Sequence, residues 1–158
     1  MTPKQVTPHE LTTKALLNGA RLMVVKIGEQ AKFRLFYQTI DYAKYYLPLK
    51  QGDDIYIGEE FSYSNSFATV EYKIDDKFDT SNWMPASQMS YNESRLHFTV
   101  GEVSVKKVSE INKKVANKLM GTDYSITEYD IKLNHWLKAQ DIEPTDYIAL
   151  VELLDKDK

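Results

Sequence analysis

Apolar residues at Leu11, Ala15 and Leu16 recur at the spacing of one helix face, between Thr7-Pro8-His9-Glu10 and Gly19. Thr7 suits the N-cap, Pro8 loses nothing in the first turn, and Glu10 completes a capping box, so the pattern predicts a helix that Gly19 ends. Arg21 to Ile27, with Leu-Met-Val-Val at its centre, reads as a strand. Residues 28–50 hold six aromatics between Phe33 and Tyr46 with no clean period, and both helix and strand stay open there. Gln51-Gly52-Asp53-Asp54 is a turn leading into a strand from Ile55 to Phe61. Ala68 to Ile74 is a second strand, alternating Val70, Tyr72 and Ile74, and Asp75 to Asn82 a polar loop.

From Arg95 onward the apolar residues fall on Leu96, Phe98 and Val100 and then change phase to Val103 and Val105. One extra residue at Gly101-Glu102 produces that slip, so a long bent strand with a bulge is expected, of the kind that turns the corners of small barrels. Val108, Ile111, Val115 and Leu119 form a helical stripe ending at Gly121. Ser125-Ile-Thr-Glu128 reads as a second capping box before Tyr129, Leu133, Trp136 and Leu137. Pro144 lies in an exit loop, and Tyr147 to Leu154 is apolar on both faces, which places it at the centre of a sheet or inside a closed one. The order is helix, several strands, two helices, strand, with no repeat or linker, so residues 1–158 read as a single domain.

The 158 residues are 42% apolar, 27% charged and 12% aromatic, the profile of one globular domain with a core large enough to fold without cross-links. The absence of cysteine excludes disulfides, thiol nucleophiles and iron–sulfur clusters. Twenty basic against 23 acidic residues give a net charge of −3, with neither half a basic arm, so only a local cationic cleft would attract nucleic acid. No apolar run reaches a membrane span and the N-terminus has no signal-peptide core, so a cytoplasmic protein without a membrane partner is expected.

Four segments stand in order along the chain: Leu17 to Lys26, Leu49 to Glu59, the pair Trp83 to Ser90 with Arg95 to Val100, and Asp146 to Glu152. Together they resemble the ASCH domain family of PUA-like proteins, particularly small members encoded by phages and prophages, and the resemblance extends over about two thirds of the chain. The resemblance implies an α+β fold, a mixed β-barrel with flanking helices, in the cytoplasm of a bacterial host. It also implies a cleft that accepts RNA or a modified nucleoside. Amidohydrolases with this fold use a Lys and a Thr of the first segment together with a Glu; here those two positions hold Arg21 and Val24. Arginine does not titrate near neutrality and valine has no hydroxyl, so the resemblance carries a binding cleft without hydrolase chemistry and implies no cofactor. The alternatives are a counter-defence or regulatory protein that binds a host protein through an acidic, tyrosine-rich surface, and a diverged amidohydrolase acting on a modified nucleoside.

The candidate ligand-binding residues are Arg21, Lys26, Glu59, Trp83 and Gln88. Arg21 and Lys26 keep both basic positions of the first segment and suit a phosphate, although strand-edge charge is the plainer account. With Glu59 they are expected to converge on one cleft, within about the 10 Å over which charges cooperate. Trp83 offers a stacking face and Gln88 an amide edge for a base, against the commoner role of Trp as core. Lys106, Lys107, Lys113, Lys114 and Lys118 form a basic patch, either a solvated helix face or a contact for an acidic partner. Asp75, Asp76 and Asp79 lack metal-loop spacing, and His9, His97 and His135 fall in separate elements, so no metal site is expected.

Overall fold

A computed structural model describes residues 2–27, 47–63, 69–75 and 82–156. Within them the fold is α+β. Five strands form one mixed sheet: β1 (Lys4–Val6), β2 (Leu22–Lys26), β3 (Asp54–Ile57), β6 (His97–Lys107) and β7 (Tyr147–Asp155), in the order β1-β3-β6-β7-β2. Only β1 and β3 run parallel; the other pairs are antiparallel. A separate two-stranded hairpin joins β4 (Phe61–Tyr63) to β5 (Val70–Tyr72). The described α-helices are α1 (Glu10–Leu17), α2 (Lys113–Met120) and α3 (Tyr129–Lys138).

Strand β7 lies between β6 and β2, and its two faces feed two separate cores. Ala149, Val151 and Leu153 join Met23, Ile55, Ile57, Phe98 and α1's Leu16 on one side. Ile148 and Leu150 join Val24 and the apolar faces of α2 and α3 on the other. A period of two therefore decides which core each residue enters. Along β6 that period breaks where the sequence slips: Val100 pairs with Leu153 and Val103 with Val151, so three residues of β6 span two of β7. The extra residue lets Phe98 and Val100, and then Val103 and Val105, all reach the same core.

Helix α1 begins two residues later than its sequence suggests. His9 is its N-cap, with Nδ1 accepting from the Leu11 amide, so the capping box on Thr7 does not form. The second predicted box is absent too. Ser125 instead turns the chain through backbone bonds to its carbonyl from Glu128 and Tyr129, and its hydroxyl meets that of Thr127. Helix α2 is capped by Asn112, whose Oδ1 accepts from the Val115 amide, and closed by Gly121 at φ +67°.

The strand expected from Ile55 to Phe61 is two strands, because β3 stops at Gly58. A Cβ there would lie 2.7 Å from the Ala86 carbonyl oxygen, so the chain passes too close to the 86–89 turn to continue the ladder. Gly58→Ala is accordingly expected to cost about 1–3 kcal/mol, the usual penalty for overpacking, measured as a fall in urea midpoint. The strand expected from Ala68 to Ile74 is confined to Val70–Tyr72, followed by a 3-10 turn at Lys73–Asp75. Residues 28–46, Ala68 and residues 76–81 of the expected polar loop lie outside the described residues.

Strand β1 is tied down by charge as well as by its ladder. The Lys4 ammonium lies 2.9 Å from Asp53 Oδ2, which also accepts from the Lys50 amide at 2.8 Å. The Lys4 bond, followed by the backbone bond, outweighs burial and holds the Asp53 carboxyl below the usual carboxylate range. A depressed native pKa gives stability that is present above the unfolded value of about 3.9 and lost as pH falls through the native one. Urea midpoints measured from about pH 6 to about pH 3 should therefore fall less steeply for Asp53→Asn than for the parent chain.

Candidate functional site

The turn between α1 and β2 reverses at Gly19, with φ +100°, and delivers Arg21 to the start of β2. Its Nη1 donates to the carbonyls of Leu16 and Ala20 at 3.1 and 2.7 Å, and its Nε to Asp155 Oδ1 at 2.9 Å. The guanidinium lies 5.0 Å from the centroid of the Phe98 ring. Arg21 thus ties the end of α1 to the end of β7.

Beside it opens a cleft of about 1090 Å³ between the α1–β2 turn, α2 and the last residues of β7. Lys113, Lys114 and Lys118 line this cleft with Arg21, against Asp123 and Glu152. Among the described residues none of the three lysines holds an ion pair. Three members of the sequence patch therefore meet Arg21 across a concave surface. Lys106 and Lys107 do not: they end β6, paired with Ile148 and Tyr147 at the opposite end of β7 from Leu153.

The convergence expected of Arg21, Lys26 and Glu59 does not occur. Arg21 and Lys26 bracket β2, roughly 17 Å of strand apart. Lys26 lies 3.6 Å from the Asp141 carboxylate and lines a different groove of about 440 Å³. That groove also takes Val6 and Thr7 from the end of β1, so residues of the sheet's two edge strands share one cavity.

Glu59 lines a third, smaller cavity, but its side chain is only 1% exposed and both carboxylate oxygens are occupied. Arg95 donates to them from Nε at 2.9 Å and Nη2 at 2.8 Å. The same guanidinium reaches Asp75 at 2.7 Å through Nη1 and stacks 4.0 Å from the Tyr72 ring centroid. Burial works against the charge of Arg95, yet the two carboxylates overcome it and raise its pKa above the ordinary arginine value. The pairing unites β3's exit, the β4–β5 hairpin and the start of β6. Asp75 thus serves a salt bridge.

Trp83 is half-buried beside Met84, which bridges to Phe61, and Gln88 is exposed at the end of a 3-10 turn. Neither lines any of the three cavities. The loop that carries them is fastened from beneath by the Gln5 amide, which donates to the carbonyls of Ala86 and Met89 at 3.0 and 2.8 Å. In the sequence nothing marks Arg95 as the partner of Glu59, since 36 residues separate them. The pairing of Arg21 with the lysines likewise becomes visible only once α2 lies against the α1–β2 turn.

No protein-family model, curated protein or solved structure matches the chain. No helix among the described residues is long and apolar enough to cross a membrane.

Proposed function

We propose that this chain is a noncatalytic binding module of the phage ASCH/PUA-like kind, a mixed β-barrel with flanking helices, that holds RNA or a modified nucleoside or nucleotide. The observation that carries the reading is the cationic cleft. On a chain of net charge −3, four cations from two separate elements face two acids around one concavity, and three of them have no ion pair among the described residues. Such an arrangement attracts phosphate locally while the rest of the surface repels it. The barrel is supported by the strand order and by the groove that β1 and β2 share.

Absence of hydrolysis is supported by the chemistry of the aligned positions. Val24 sits with its side chain in the helix-side core, Arg21 is held by Asp155, and Glu59 cannot accept a proton from substrate while Arg95 occupies both its oxygens. A host-protein partner is the second reading. It rests on Ile126 and Ile131, 72% and 60% exposed near Asp123, Glu128 and Asp130 at the start of α3.

Labelled single-stranded RNA is expected to bind at low salt and weaken as salt rises, and acylated cytidine incubated with excess protein to remain intact. Turnover that Arg21→Ala abolishes would contradict the noncatalytic reading. Failure to bind RNA at any salt would leave the protein-partner reading in its place.

A further inference from the structure

We infer that the cationic cleft recognises a single-stranded polynucleotide through its phosphodiester backbone alone, reading neither base nor sugar. The inference rests on the binding function proposed above and narrows its ligand class from RNA or nucleoside to a strand carrying consecutive phosphates.

Reading a single-stranded base takes a flat partner for its face and a free amide or carbonyl for its edge. The described residues that line this cleft include no Phe, Tyr, Trp or His. The guanidinium of Arg21, which could serve as a stacking plane, is already packed near the Phe98 ring and bonded to Asp155, Leu16 and Ala20. Of the amides at the lip, Asn117 is fully committed and Asn112 in part, and the exposed Asn18 has no ring beside it among the described lining residues to hold the face of a base. Asn117 Oδ1 accepts from Thr122 and Tyr124 while its Nδ2 donates to the Tyr124 carbonyl, and Asn112 Oδ1 caps α2.

The cations that line the cleft without an ion pair among the described residues are three ammonium groups. Lys114 and Lys118 are i and i+4, so their Cβ atoms lie about 5–6 Å apart along α2, with Lys113 beside them. An ammonium is a point charge on a flexible stem and makes no distinction among bases. Three such charges in a row suit a run of phosphates better than a single one. Ammonium groups on flexible stems do not tell ribose from deoxyribose, since that distinction needs a group aimed at the 2′-hydroxyl.

Fluorescence anisotropy with labelled oligouridine and oligothymidine of equal length tests this on the full chain. The two are expected to bind within about twofold of each other, with log K falling against log salt at a slope of about −2, from three contacts of about 0.7 each. Between roughly 50 and 200 mM salt that slope is a loss of about 20-fold. Each of Lys113→Ala, Lys114→Ala and Lys118→Ala should flatten the slope by about 0.7. All three lysines are exposed, so the variants should keep the parent's circular dichroism. Excess inorganic triphosphate should displace the strand, and excess uridine should not.

Displacement by uridine, a preference for the ribo strand above about tenfold, or slopes unchanged in all three variants would overturn the inference while leaving RNA binding itself in place. Failure of both strands to bind at low salt would instead remove the proposed function, and the inference with it.

Discussion

Arg95→Met is expected to lower the unfolding free energy by about 3–5 kcal/mol, the usual penalty for removing one partner of a buried ion pair. The side chain of Glu59 is 1% exposed and takes its hydrogen bonds from Arg95, so the substitution leaves a carboxylate away from water without a partner. Asp75, 57% exposed, can turn to solvent and adds little. The double replacement Glu59→Leu with Arg95→Met removes the charge with its partner and should recover much of the loss. Urea unfolding of the parent, the single and the double variant measures this. Equal losses in the single and double variants would mean that stacking of the Arg95 guanidinium on Tyr72, rather than the stranded carboxylate, accounts for the penalty.

The second large effect falls on binding. Removing Lys113, Lys114 and Lys118 together as alanines should weaken single-stranded RNA binding roughly 10²–10³-fold at about 50 mM salt, if three counterion-release contacts of about 0.7 are lost and the reference is 1 M. The gap between parent and triple variant should close as salt rises. Lys106→Ala with Lys107→Ala removes two charges from the same sequence patch but not from the cleft, and should change binding only weakly at physiological salt, where charges beyond about 8 Å are screened. A purely nonspecific attraction to positive charge would instead respond to both sets in proportion to their number.

Those two sets of lysines show what could be read from the sequence and what could not. The apolar run from Tyr147 to Leu154 announced a central strand because both of its faces are buried, and the phase slip after Val100 announced the bulge because each side chain must still reach its core. Such features are local in the sequence and strong in pattern. Strand β1 left no comparable trace: Lys4-Gln5-Val6 is too short and polar to show a period, and it is held by its pairing with β3, by the Lys4–Asp53 bond and by the Gln5 amide. Capping at Thr7 and Ser125 was misjudged because a capping box is defined by residue types, whereas His9 and the Ser125 carbonyl had the better geometry for the amides in question.

The site was legible only in parts. Arg21, Lys26 and Glu59 stand out in the sequence as charged residues, but each meets a different partner, and those partners lie far away in sequence: Asp155, Asp141 and Arg95. Arg95 is 36 residues from Glu59 and 20 from Asp75, a separation at which pattern carries no information. The cleft itself depends on α2 packing beside the α1–β2 turn, close enough that a Cβ at Gly121 would lie 3.3 Å from the Ala15 carbonyl oxygen. A basic helix face became a candidate site only through that contact.

The most direct test of the cationic cleft is an amide chemical-shift titration of the isotopically labelled protein with a short oligouridine at low salt. The cleft reading predicts that the largest shifts cluster at Asn18 to Leu22, Asn112 to Lys118, Gly121 to Asp123 and Glu152 to Leu154, the four segments that meet around it. Shifts centred instead on Thr7 to His9 with Met23 to Lys26, the groove shared by β1 and β2, or on Lys106 and Lys107, would contradict it.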